Sequence, residues 1–242
     1  MGLKKNRFCT VLLFAGLLVG SFSVKAQQIN QYSGWLAWFN TMKLSPKVGL
    51  SFDGQIRSAD GISSVRNVLI RPGFTYFIDN TKNATLGYAF ILTNQDPVLF
   101  SNDHLIEHRI WQQFIYNAQL GKIPLVNRFR LEQRFIELNS SDVFSQRFRY
   151  FIRSVIPVQK QNAKSFSKGI FVALQNEIFL NIQNKEQLNN KFFDQNRAYL
   201  ASGYRVNSTL DLEAGYLNQY LKGKTNTTTN HVIQLALYTR FK

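Results

Sequence analysis

Arg128, Arg130, Glu132 and Arg134 occupy every second position of "NRFRLEQRFIEL", residues 127–138, and Phe129, Leu131, Gln133 and Phe135 fill the gaps. A guanidinium is a planar, permanently charged fork that grips carboxylates and phosphates through two parallel hydrogen bonds. The chemistry on offer is therefore anion recognition or an internal Arg–Glu network. The same parity recurs on either side. Glu107 and Arg109 share a face of 105–120, Arg147, Arg149 and Arg153 share one of 145–158, and Glu177 lies on the polar face of 169–182. Further on, Asp211 and Glu213 follow Arg197 and Arg205 and are expected to pair with them across a hairpin.

Residues two apart lie about 200° apart on a helix, which would scatter these charges around its axis. On a strand they form one charged face opposite an apolar one. If 105–120, 126–138 and 145–158 are consecutive strands, Arg109, Arg128, Arg130, Arg134, Arg147, Arg149 and Arg153 line one wall, with Glu107, Glu132 and Glu177 interleaved or adjacent. Such a wall has two uses. It fills a narrow barrel and fixes strand register, or it surrounds a small pore that prefers anions.

Nucleophilic chemistry has a weaker basis. Beyond the first residues the histidines are His104, His108 and His231. His108 and Ser154 share the apolar parity of their strands, but they are expected at different depths with 126–138 between them. A Ser–His site is the lesser reading, and the chain reads as more a non-enzyme than an enzyme. No metal-ligand cluster, glycine-rich phosphate loop or nucleotide motif is present, so no cofactor is expected.

The elements that must position these residues read as one long meander. Alternating segments run over 33–44, 48–57, 66–78, 84–95, 105–120, 126–138, 145–158, 169–182, 193–206, 209–220 and 231–241. Short breaks such as "SPK", "DNTKN" and "GKIP" alternate with longer polar ones such as "SADGISS" and "NQDPVLFSND". Many segments reach the ~9–11 residues of a tilted membrane-spanning strand. A soluble sandwich shares the period of two, but strands this long in a meander would leave long exposed edges.

Residues 1–26 read as a signal peptide: Lys4, Lys5 and Arg7, an apolar run, then Val24 and Ala26 at the cleavage positions. The single cysteine, Cys9, lies inside that run, so the exported chain from residue 27 has no disulfide. Losing Lys4, Lys5, Arg7 and Lys25 lowers the formal charge of +15 to about +11, a basic excess that in other settings marks nucleic-acid binding. Export and the dispersal of the basic residues argue against a nucleic-acid partner. Lysines gather at turns and arginines inside strands, which suggests a solvated rim and an internal arginine network.

The expected fold is all-β, a single antiparallel up-and-down transmembrane β-barrel of about 10–12 strands spanning 27–242. Bacterial single-chain barrels have even strand numbers, so ten or twelve is the expectation. Eleven segments then require that residues 27–32 cross back through the lumen, or that one strand is split or missed. Trp35, Trp38, Tyr116, Tyr150, Tyr204 and Tyr216 are candidates for aromatic girdles at the membrane interfaces.

The stretches "RFRLEQRF", "FDQNRAYLASGYRVNSTLDLEAGYLNQY" and the closing "HVIQLALYTRF" resemble signature blocks of a domain-of-unknown-function family, number 2490, of exported Gram-negative proteins predicted to form outer-membrane barrels. The resemblance implies fold and location, and carries no activity or catalytic residue. The partners expected are outer-membrane lipid, the barrel-assembly machinery and small anionic solutes. The leading functional expectation is a narrow Arg-lined pore or binding barrel. The alternatives are a lipid-modifying outer-membrane enzyme and a plugged barrel with a structural or docking role.

Overall fold

The computed structural model describes residues 27–59, 61–94, 104–121, 123–138, 141–158 and 166–241. The signal-peptide reading falls on 1–26, outside the described residues. Eleven strands follow in order: β1 (Gln27–Lys43), β2 (Val48–Ser58), β3 (Val65–Phe77), β4 (Lys82–Asn94), β5 (His104–Leu120), β6 (Ile123–Leu138), β7 (Ser141–Pro157), β8 (Gly169–Gln183), β9 (Phe193–Asn207), β10 (Leu210–Lys222) and β11 (Asn226–Phe241). Each strand pairs antiparallel with the next, and the sheet closes into a barrel.

Closure corrects the even strand count. In a meander with an odd number of strands the first and last run the same way, so they can only meet in parallel. β1 and β11 do so without a break from Gln27↔Asn226 to Met42↔Phe241. Residues 27–32 neither cross the lumen nor mark a lost strand; they are the first rungs of this seam. β1 pairs with β2 only from Trp35↔Arg57 onward. Beyond that point Ser58 and Gly61 meet its edge: Gly34 N–H donates to Ser58 Oγ at 2.8 Å and Gly61 N–H to the Tyr32 carbonyl at 2.5 Å. Gly61 adopts φ +76°, a conformation glycine takes without cost.

At the end of the barrel where β11 finishes, the connections are 44–47, 78–81, 121–122, 158–168 and 208–209. Their turns are built by side chains that satisfy backbone donors. Asp79 Oδ1 accepts from Thr81 N–H, Thr81 Oγ1 and Lys82 N–H at 2.7–2.8 Å, and these bonds hold its carboxyl at about 2, well below the usual range. The opposite end carries 59–64, 95–103, 139–140, 184–192 and 223–225. Strict alternation of short and long connections therefore fails. The polar run "TNTTTN" is largely strand, because β-branched threonines suit the pleat, and the long 158–168 connection lies at the otherwise short end.

The two faces of the sheet are inverted relative to a soluble protein. Leu36, Ile56, Phe74, Leu86, Leu174, Leu200 and Leu235 are exposed on the outside, while Gln55, Arg71, Glu107, Arg109, Glu132, Arg149 and Glu177 are buried inside. Large apolar side chains thus cover the outside of the barrel and charged ones its interior. No helix among the described residues is long and apolar enough to cross a membrane, which says nothing of strands.

The interior is not wholly charged. Trp35, Phe171, Ala173, Tyr199, Ala201, Leu217 and Val232 form a buried cluster on the β8–β11 and β1 side, and Leu69, Ala89, Ile91 and Trp111 form a second on β3–β5. Trp35 therefore corrects the girdle expectation: it is 4% exposed and points inward, whereas Trp38, Tyr116, Tyr204 and Tyr216 are on the outer face. Trp111 needs glycines beneath it. Gly73 and Gly87 face each other across β3 and β4, and a Cβ on either would run into its indole ring.

Candidate functional site

Glu107, Glu132 and Glu177 inside the barrel are each shared between guanidiniums. Glu132, 1% exposed, accepts from Arg147 Nε and Nη2 at 3.1 and 2.8 Å and from Arg149 Nη1 at 2.5 Å. Arg109 and Arg130 approach it at 3.6 and 3.8 Å. Glu177 takes Arg149 and Arg128, both at 2.7 Å. Glu107 takes Arg109 at 2.6 Å and Arg134 at 2.5 Å. Period-two strands put these residues on one face, and consecutive pairing of β5, β6, β7 and β8 brings the faces together. Taking charge out of water is costly, and pairing with hydrogen bonds of this kind offsets that cost.

The network also leaves the wall and crosses the interior. Arg153 on β7 meets Glu213 on β10 at 2.5 Å, and Arg147 on β7 meets Asp194 on β9 at 3.0 Å. The expected hairpin pairing is half corrected. Arg205 does grip Asp211, at 2.8 and 2.9 Å, with Arg240 as a second partner. Glu213, however, is taken by Arg153, and Arg197 has no carboxylate among the described residues. The register explains this: Asp211 lies opposite Arg205, whereas Arg197 lies opposite Gln219, well along the strand from Glu213.

Arg197 instead lies between aromatic rings, its guanidinium carbon 4.6 Å from the Phe179 centroid and 5.2 Å from that of Trp35. Arg57 stacks on Trp35 at 3.9 Å and donates twice to Gln55 Oε1. Arg130 stacks on Trp111 at 4.3 Å and donates to Gln113 Oε1 at 3.0 and 2.6 Å. Cation–π contacts of this kind partly replace the lost hydration.

Cavities lie at two levels of the lumen. One of about 250 Å³ lies toward the end where β11 finishes and is bordered by Asp53, Arg128, Arg130, Arg153 and Glu177. The other, of about 190 Å³, lies toward the opposite end and is bordered by Arg57, Glu107, Arg109 and Arg147. Arg71, Arg149 and Arg197 border both, so these three guanidiniums form the partition. Both chambers carry more arginines than carboxylates.

All fourteen residues of the expected wall, Glu107, Arg109, Arg128, Arg130, Glu132, Arg134, Arg147, Arg149, Arg153, Glu177, Arg197, Arg205, Asp211 and Glu213, take part in this interior. The expected wall left out Asp53, Arg57, Arg71, Asp194 and Arg240, although Arg57 and Arg71 are among the strand arginines expected to form an internal network, and it left out the aromatic shelves Trp35, Trp111 and Phe179. A signal was available for some: Asp53, Gln55 and Arg57 alternate on β2 just as the arginines do on β6.

His108 and Ser154 do not meet. His108 sits opposite Phe135 near the 95–103 end, while Ser154 sits opposite Leu174 toward the other end. On the outer face His108 Nδ1 contacts Tyr88 Oη at 2.5 Å and its Nε2 lies 3.2 Å from Glu137. Two amide pairs outside are similarly self-contained. Gln133 and Gln112 exchange two amide hydrogen bonds of 3.1 Å, and Asn176 and Asn196 exchange two of 3.2 and 3.0 Å. Among the described residues no group of His, Cys, Asp or Glu is placed to hold a metal ion.

A family model described as a protein of unknown function (DUF2490) matches residues 32–230. The chain is also similar to an uncharacterized protein of Methylorubrum extorquens, 23% identical over 236 residues that cover 96% of this chain and 98% of that protein. No solved structure matches.

Proposed function

The chain belongs to the DUF2490 family, and we propose that it is an outer-membrane β-barrel whose constricted lumen binds small anionic solutes. The observation that carries this reading is the pair of arginine-rich chambers divided by Arg71, Arg149 and Arg197. A ring of arginines favours anions through its field. A partition of buried, packed guanidiniums opposes free flow, so the barrel holds a solute more readily than it conducts one.

The membrane part of the reading rests on the outer face. Its exposed aliphatics suit hydrocarbon, and the Gln112–Gln133 and Asn176–Asn196 amides on it are paired with each other, as a solvent without hydrogen bonds demands. Outer-membrane lipid is then the surrounding partner and the barrel-assembly machinery the route of insertion. Nucleic acid has no place in it.

Thermal unfolding of the detergent-purified barrel in phosphate and in chloride, at one ionic strength, tests the binding. A ligand at 100 times its Kd raises folded-state stability by about 2.7 kcal/mol. Unfolding should move to higher temperature in phosphate. Identical unfolding in both salts would overturn the reading.

A further inference from the structure

Resting on that reading, we infer that the smaller chamber holds a specific site for a doubly charged tetrahedral oxyanion, a phosphate or phosphomonoester, built from Arg57, Arg71 and Arg197. Charge balance leads to it. The carboxylate bordering this chamber is Glu107, and it is already gripped by Arg109 and Arg134. Arg147 and Arg149 are taken by Glu132, Glu177 and Asp194. Arg71 spends one Nη on Asp53, at 2.8 Å. Arg57 and Arg197 form no ion pair among the described residues, so two positive charges stand uncompensated beside one cavity.

Donors are also left over. Arg71 is 4% exposed, and its Nε has no acceptor; Arg197 Nε is buried and has none either. A buried N–H without an acceptor costs the full desolvation penalty of the group. A dianion in the cavity would neutralise the two charges.

Geometry sets the chemical class. Guanidinium forks match the paired oxygens of phosphate or carboxylate, whereas a halide offers one centre and no fork. Guanidiniums borne on the adjacent β2 and β3 and on the more distant β9 approach from two sides, which suits a tetrahedral group better than a planar carboxylate. The volume of about 190 Å³ lies below the ~300–1,000 Å³ of drug-sized pockets. The occupant is therefore small: inorganic phosphate, or the phosphoryl end of a short phosphomonoester.

Equilibrium dialysis of the full barrel in detergent against radiolabelled inorganic phosphate, and in a second arm glycerol phosphate, tests the site. Wild type should bind one phosphoryl group per barrel, and R57Q/R197Q should bind at least about tenfold more weakly in either arm. Binding in the first arm alone identifies free phosphate as the occupant; binding in both extends the site to phosphomonoesters. Folding of the variant is checked by heat-dependent gel mobility. Because it removes two uncompensated buried charges, it should unfold no earlier than wild type in phosphate-free buffer. No binding by wild type would overturn both this site and the reading beneath it. Equal binding by wild type and a folded R57Q/R197Q would overturn the site alone.

Discussion

Arg153 on β7 and Glu213 on β10 meet at 2.5 Å inside the barrel although β8 and β9 separate their strands in the sheet. The bond is a strut across the lumen. It ties the arginine-rich wall to the apolar cluster on the far side, with Gln175 Oε1 at 3.1 Å as a second acceptor for the same guanidinium. Breaking one partner of a buried pair typically costs 3–5 kcal/mol, because the other charge is left without compensation. Glu213→Gln should therefore unfold at clearly lower urea than wild type, followed by tryptophan fluorescence. The double variant R153M/E213L should recover most of the loss, since an apolar replacement of the whole pair is often neutral.

Glu132→Gln should be among the most damaging single changes. It removes the charge on which Arg147 and Arg149 converge, with Arg109 and Arg130 within 4 Å. A loss of about 3–5 kcal/mol is expected by the same argument. Glu137→Gln, at the rim, should change stability by less than about 1 kcal/mol, as exposed pairs do. Urea unfolding of the two variants side by side measures the contrast.

The Gln112–Gln133 pair reports what solvent the outer face meets. In hydrocarbon, Gln133→Leu strands the Gln112 amide and should cost about 1–3 kcal/mol, while Q112L/Q133L should restore stability. If water covered this face, Gln133→Leu would be nearly neutral. Unfolding from lipid bilayers, compared for the single and double variants, separates these outcomes.

These residues also mark where sequence reading succeeds and stops. Period-two alternation reveals a wall because each strand position has only two directions to point, and so Arg128 to Arg134 were legible as one interior face. Gln133 looked like a flaw on the apolar side, because its partner lies on another strand and in a diagonal register. Arg197 was assigned to an acid for a similar reason: parity tells the face, not the height, and height is decided by the register that places it opposite Gln219. Strand direction at the seam was hidden too. Eleven segments were visible, but the rule of even strand number outweighed the count, and parallel closure leaves no mark in the alternation of either strand. The apolar part of the filling was not legible, because Phe171, Ala173 and Phe179 sit on the same parity as Gln175 and Glu177.

Gly87→Ala tests the packing under Trp111. The new methyl would meet the indole and the Pro72 carbonyl, and overpacking of this sort costs about 1–3 kcal/mol. A changed Trp111 emission and earlier unfolding are expected. Gly121→Ala, which meets open space but keeps φ +61°, should leave the emission unchanged while losing some stability to strain.

Asp79 gives a pH dependence with a definite sign. Its carboxyl is held at about 2 by the turn bonds, below the ~3.9 of an unfolded aspartate. A depressed folded value means that its contribution is fully present above about pH 4 and is lost as pH falls through about 2. Asp79→Asn should flatten the stability profile across that window and leave the profile at neutral pH parallel to wild type.

The central claim, a membrane barrel closed by an arginine partition, is met most directly by reconstituting the full barrel in a planar bilayer under a salt gradient. The account gives insertion with little steady conductance, and a reversal potential on the anion side for whatever current flows. Arg71→Ala and Arg197→Ala, which thin the partition, should raise that current. A large cation-selective conductance in wild type, or a protein that stays soluble without detergent and never enters the bilayer, would contradict it.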